Sequence, residues 1–159
     1  MSATPPPFQR FVDAHRDVVW RFLVSAVGRD DAEDAFQETF IAAMRAYPRL
    51  RPDSNLRAWV LTIAHNKALD AHRARGRRAV PVSDFEDFVG RAEGAPALRD
   101  EGLWRAVEQL PERQRSAVVL RFVADLPHRE IAAAIGCSED AARRSLHEGL
   151  TKLRKAVAA

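Results

Sequence analysis

The 159 residues carry 25 Lys+Arg against 22 Asp+Glu, a formal net charge of +3, and 47% apolar side chains. That apolar fraction suffices for a buried core, while the near-balance of charge means that any argument for a nucleic-acid partner must rest on where the cations sit. One cysteine, Cys137, excludes an internal disulfide and a Cys-based zinc cage; the start of the chain has no signal-peptide pattern and no run reaches the ~18 apolar residues of a membrane helix, so a cytoplasmic protein without membrane insertion is expected.

In chain order, Phe8, Phe11, Val12, His15, Val18, Val19, Phe22, Leu23 and Ala26 recur at helical spacing and predict a helix over residues 8–27, stopped by Gly28. A second helix starts near Asp30 or Asp31, whose carboxylates suit a helix N-terminus, and ends before Pro48. Its expected buried stripe is Ala32, Ala35, Phe36, Phe40, Ala43, Met44 and Tyr47. A polar loop over residues 48–55 leads to a third helix, with Asp53 or Ser54 as its cap and Leu56, Trp59, Val60, Ile63, Ala64 and Ala68 on one face. Three amphipathic helices with short loops make a small bundle.

The periodicity lapses after Gly76, and the run Ser83-Asp84-Phe85-Glu86-Asp87-Phe88 turns acidic, as an interdomain linker would. Further on, Leu98, Leu103, Val107 and Leu110 mark a fourth helix, and Pro111 starts a fifth over residues 112–124. A short helix over 129–135, the turn Gly136-Cys137-Ser138 and a last helix over 139–157 complete the chain, the last capped by Ser138. No β-pattern of useful length occurs. The expected fold is all-α: a three-helix domain over 1–78, a flexible acidic linker over 79–96 and a second helical domain over 97–159.

Two constellations carry chemistry. In residues 126–146 the first short helix turns Ile131, Ala132 and Ile135 inward, Gly136 opens a tight turn, and Ala142 and Leu146 pack the next helix back at a steep angle. This is the helix-turn-helix arrangement, whose second helix enters a DNA major groove. The exposed residues of that helix then include Arg143, Arg144 and His147, with Lys152 and Arg154 beyond; the alternative is a hairpin packed for stability alone. The second constellation is Lys67, Arg73, Arg75, Arg77 and Arg78, opposed only by Asp70, at the end of the third helix. Such a run suits a solvated helix end, but Trp59 and Asn66 upstream add the aromatic and amide groups with which single-stranded DNA is held. Trp59 reads equally well as a core residue, since it falls on the apolar stripe.

The order of these parts resembles the extracytoplasmic-function group of bacterial RNA polymerase sigma factors. Residues 31–40, DAEDAFQETF, look like that family's polymerase-binding motif; residues 56–70, LRAWVLTIAHNKALD, with the basic run, look like its promoter-melting helix; residues 110–122, LPERQRSAVVLRF, with the helix-turn-helix, look like its C-terminal domain. The resemblance implies a protein that binds core RNA polymerase, recognises promoter DNA and promotes strand opening, with no cofactor, no metal and no catalysis of its own, and that is held in reserve by an anti-sigma factor. It places Asp34, Gln37 and Glu38 on the polymerase and Asn55, Arg57, Trp59, Asn66, Lys67, Asp70, Arg73, Arg77 and Arg78 at the melted promoter. Ser138, Arg143, Arg144, His147 and Lys152 fall at the upstream element, and the linker in the polymerase's active-centre channel. Where this chain has Ala141-Ala142 the family usually has Thr-Val; it prefers Arg at Ser145 and Glu148, and Ala at Gly149.

Two other readings fit parts of the chain. An ordinary helix-turn-helix regulator would bind operator duplex without polymerase. An enzyme would need a constellation that the five histidines, His15, His65, His72, His128 and His147, do not make: His65 and His72 share a helix face as a possible metal pair, but no carboxylate completes a known spacing, and polar-surface or DNA-facing roles are expected for them.

Overall fold

The computed structural model describes residues 4–51, 54–77 and 101–158, all helices and turns with no strand among them. The helices are α1 (Phe8–Val27), α2 (Arg29–Ala46), α3 (Leu56–Arg77), α4 (Glu101–Glu108), α5 (Glu112–Phe122), α6 (His128–Ile135) and α7 (Glu139–Ala158), with a 3-10 turn at Tyr47–Arg49 after α2. The acidic stretch 83–88 and Arg78 lie outside the described residues, as do Asp53 and the side chain of Arg77.

The first unit is α1, α2 and α3, each packed on the other two. The corner between α1 and α2 is the single residue Gly28, at φ 82° and ψ 163°, where a side chain is strongly disfavoured. Its N–H closes α1 on the Val24 carbonyl and its own carbonyl receives the Ala32 N–H that opens α2. Asp30 and Asp31 thus lie in the first turn and favour its dipole rather than capping it. Phe11, Val18, Val19, Phe22, Leu23, Ala32, Ala35, Ala43, Val60, Leu61, Ala64 and Ala68 supply the core, all at most 7% exposed. Met44, expected inside, is 54% exposed; Thr39 occupies the buried position instead, its hydroxyl satisfied by the Ala35 carbonyl at 2.6 Å. One turn of α2 thus buries a small hydroxyl that bonds its own helix, and turns the long thioether out.

Helix α3 is not capped by Ser54. Asn55 holds that place, its side-chain oxygen accepting the Ala58 N–H at 3.1 Å and its carbonyl accepting that of Trp59 at 2.9 Å.

The second unit joins α4 and α5 to the α6–α7 pair. Ile131, Ala132, Ala134, Ala142 and Leu146 of the last two helices are buried, while Ile135 is half-buried. Gly136 takes the left-handed conformation, φ 73° and ψ 41°, and its N–H and that of Cys137 both return to the Ala132 carbonyl. The Ser138 hydroxyl then accepts the Ala141 N–H at 3.1 Å and opens α7.

The two units also touch. Helix α3 lies against α6, and α1 against α5, so α3 is covered on two sides and one apolar stripe does not describe it. Leu61 and His65, off the expected stripe, are 0% and 5% exposed.

Candidate nucleic-acid interface

Two-sided burial leaves α3 a narrow exposed strip. From Leu56 to Arg75 the exposed residues are Asn66, Asp70, Arg73 and Ala74, spaced four and three apart on one line along the helix. Arg77 falls in the same register. The Asp70 and Arg73 side chains, 60% and 63% exposed, stand 3.9 Å apart, a loose surface pair that a nucleic acid can part at little cost. Lys67 sits half-buried at the flank. Arg75 leaves the basic run altogether: its Nε lies 2.8 Å from the Asp31 carboxylate, pinning the end of α3 to the start of α2.

The remaining expected contacts of this unit are differently placed. Trp59 is half-buried in an aromatic cluster, its ring centroid 5.6 Å from that of Phe11 and 6.3 Å from that of Tyr47. It packs against the core from this position. Asn55 donates its amide to the Glu130 carboxylate on α6, and Arg57 donates its guanidinium to the Ala124 carbonyl beyond α5. Both therefore reach the second unit. Two of the histidines are not on the polar surface: His65 pairs with the Ser116 hydroxyl at 2.9 Å, and His72 lies half-buried beside it. Among the described residues no three His, Cys, Asp or Glu side chains gather as metal ligands would.

On α7, Arg143, Arg144, His147 and Lys152 are all exposed, as is the capping Ser138. Arg143 is paired only with Glu139 one turn back, at 2.8 Å, with both side chains about half exposed. The Arg-rich first turns of the second helix of a helix-turn-helix thus face outward, where base edges and phosphates are met. Ser145 and Gly149 do not belong to this surface. Ser145 is 8% exposed, and a Cβ on Gly149 would stand 3.0 Å from Val118 Cγ2 of α5. An Arg at Ser145 would have to thread out of the packing between α7 and the rest of its unit. Glu148 is exposed and accepts from Gln114 of α5 at 3.2 Å, which draws it toward the unit's own side.

On α2, Asp34, Gln37 and Glu38 form an exposed ridge, which Ile41 and Met44, 45% and 54% exposed, continue as an apolar end. The sequence hid this extension because Met44 falls within the same apolar spacing as the true core.

Comparison with known proteins covers both units. The chain matches the Sigma-70 region 2 family over residues 11–78 and the Sigma-70, region 4 family over residues 100–153. It is 38% identical to the RNA polymerase sigma factor CarQ of Myxococcus xanthus, over 93% of this chain and 87% of that one. To the ECF RNA polymerase sigma factor SigD of Mycobacterium tuberculosis it is 32% identical, over 91% of this chain and 74% of that one. Among solved structures it shares the fold of the sigma factor RpoE of Bartonella quintana, determined in complex with the anti-sigma factor NepR: the TM-score is 0.76 at 22% identity, over 96% of this chain and 97% of the other. No described helix is long and apolar enough to cross a membrane.

Proposed function

The chain belongs to the extracytoplasmic-function group of RNA polymerase sigma factors, and from that premise we propose which of its residues do the work. The first unit, residues 1–78, docks on core polymerase through Asp34, Gln37 and Glu38 of α2, with Ile41 and Met44 burying their apolar ends against the same partner. Charge there sets orientation and on-rate, and the apolar end supplies contact area. The strip Asn66, Asp70, Arg73 and Arg77 of α3, with Lys67, Arg78, the cap Asn55 and Arg57 in the first turn, holds the melted strand. The second unit, residues 97–159, reads upstream duplex with Arg143, Arg144 and His147, while Ser138 and Lys152 hold phosphates. Residues 79–96 link them.

The observation that carries this reading is that one chain presents two exposed faces with arginine on separate helices, the α3 strip with Asn66 and Arg73 and the first turns of α7 with Arg143 and Arg144. No covalent step is needed. A base stacked or held by a protein contributes ~1–3 kcal/mol, comparable to the few kcal/mol of unstacking it from duplex, so a surface that binds only open strands favours opening. Each contact alone is weak, and tethering both to polymerase multiplies them. Like RpoE, whose structure holds an anti-sigma factor, the chain is expected to be sequestered by such a partner until needed.

The test is pull-down of core enzyme followed by permanganate footprinting of promoter DNA. Thymines reactive only when chain and core are both present are the expected result. Tight sequence-specific duplex binding by the chain alone, with no co-purification of core, would turn the assignment toward an ordinary helix-turn-helix regulator. Gln37→Ala combined with Glu38→Ala is expected to abolish co-purification while leaving the helical circular dichroism unchanged.

A further inference from the structure

The face between the two units is built from residues with other work to do. Asn55 and Arg57, placed above at the melted strand, are here engaged by Glu130 and by the Ala124 carbonyl. Between these contacts and the far end of α3, His65 and His72 border a void of about 10 Å³, room for one water, closed by Phe22 of α1 and by Arg115, Ser116 and Val119 of α5. His65 is 5% exposed and its Nε2 meets the Ser116 hydroxyl at 2.9 Å. Two imidazoles thus lie on the seam of a closed molecule, and neither has a carboxylate in contact among the described hydrogen bonds.

We propose that this seam is a proton-operated clasp: with His65 and His72 uncharged the second unit folds down on α3 and keeps Asn55 and Arg57 from DNA, and charging both imidazoles releases it. The surroundings of the pair favour the neutral form. Burial pushes His65 below its ordinary value, and His72 beside it adds to that, against Glu112 of α5 and the backbone of Ala134 on α6, which act the other way. Burial also lowers His72, helped by Arg115 of α5 and Arg75 on its own helix and opposed by Glu112 and the Ala26 backbone of α1. Glu108 of α4 faces Arg115, and burial raises its carboxyl above the ordinary range, against the nearby Arg115, Arg75 and Arg105. In an opened chain the imidazoles regain a value of about 6.5. Closure is therefore fully favoured above that pH and lost as pH falls from there toward the lowered closed-state values. Each histidine can change the closed-to-open ratio by up to about tenfold per pH unit, the pair by up to about a hundredfold.

The clasp itself stands on the seam geometry; its consequence for DNA rests on the placement of Asn55 and Arg57 proposed above, and the test separates the two. Small-angle scattering of the full chain is recorded at pH 7.5 and pH 5.5 at constant ionic strength, with far-ultraviolet circular dichroism as a check that the helices persist. The expected result is a larger radius of gyration at pH 5.5 with unchanged helicity, and loss of that change in His65→Gln/His72→Gln, which stays neutral at both values. The single variant His72→Gln, on the less buried member, is expected to halve the pH response on a logarithmic scale and guards against a double variant that fails to fold. An equal radius at both pH values in the unaltered chain, or the same expansion in the variants, overturns the clasp. Binding of a fluorescent single-stranded oligonucleotide is followed in the same samples. Expansion accompanied by a several-fold gain in affinity that the variants lack supports the whole proposal, whereas expansion without that gain removes Asn55 and Arg57 from the strand-binding surface.

Discussion

Arg143 shows how a residue proposed to meet DNA is kept available. Its pairing with Glu139 is one turn long and half exposed, a class of ion pair worth well under 1 kcal/mol, so exchanging Glu139 for a phosphate or a guanine edge costs little. Arg143→Ala is accordingly expected to leave the thermal midpoint nearly unchanged while weakening upstream-element binding by the polymerase complex by ~1–3 kcal/mol. Gel-shift titration against a differential scanning trace checks both halves, and a loss of stability that matched the loss of binding would mean that the residue is structural. Ser138 presents the opposite case, a cap with one hydroxyl committed to the Ala141 N–H. Ser138→Ala should lower stability by about 1 kcal/mol. Ser138→Asp should restore the cap yet still weaken binding, since its carboxylate would face phosphate; equal binding by unaltered and Asp chains would show that Ser138 touches no DNA.

At the scale of the element, what could be read from the sequence depended on how many neighbours a helix has. Helix α1 packs in the way that its apolar spacing foretold, and α6 and α7 followed from Gly136 and Ser138, because a positive φ and an N-terminal hydroxyl are local demands that local sequence must meet. Helix α3 could not be read in that way. Covered on two sides, it has no strongly one-sided pattern, so Leu61 and His65 looked like residues between stripes, and the partner that buries them comes from chain positions more than fifty residues away. The strip Asn66, Asp70 and Arg73 was legible as residue types but not as the line that stays open among the described residues of the helix. Trp59 packs against the core because Phe11 and Tyr47 arrive from two other elements. Packing between α5 and α7 supplies a sharper test of such hidden neighbours. Alanine at Gly149 gains ~1 kcal/mol of helix propensity, offset by its 3.0 Å approach to Val118 Cγ2, and should prove nearly neutral. Gly149→Val adds branching that the contact cannot absorb and is expected to destabilise the second unit by ~1–3 kcal/mol in urea unfolding. An unchanged midpoint in that variant would mean that α5 and α7 stand farther apart than described.

For the whole molecule, a net charge of only +3 gives no general attraction to DNA, so affinity must come from a few placed cations and be correspondingly sensitive to salt. If Lys152 neutralises one phosphate, it should contribute about −0.9 to the slope with which the logarithm of the duplex binding constant falls with the logarithm of salt concentration. Lys152 stands two turns along α7 from Arg144 and is exposed, and is proposed to reach backbone rather than base edges. Lys152→Ala should therefore reduce the slope by about 0.9 and weaken all sequences alike, whereas Arg143→Ala should weaken the preferred sequence most. The measurement is fluorescence anisotropy on duplexes with and without the upstream element, from 50 to 200 mM salt, using the polymerase complex, where tethering lifts the second unit's affinity into a measurable range. A Lys152→Ala chain with an unaltered slope but altered sequence preference would reverse the division between the two residues, and with it the register in which α7 lies in the groove.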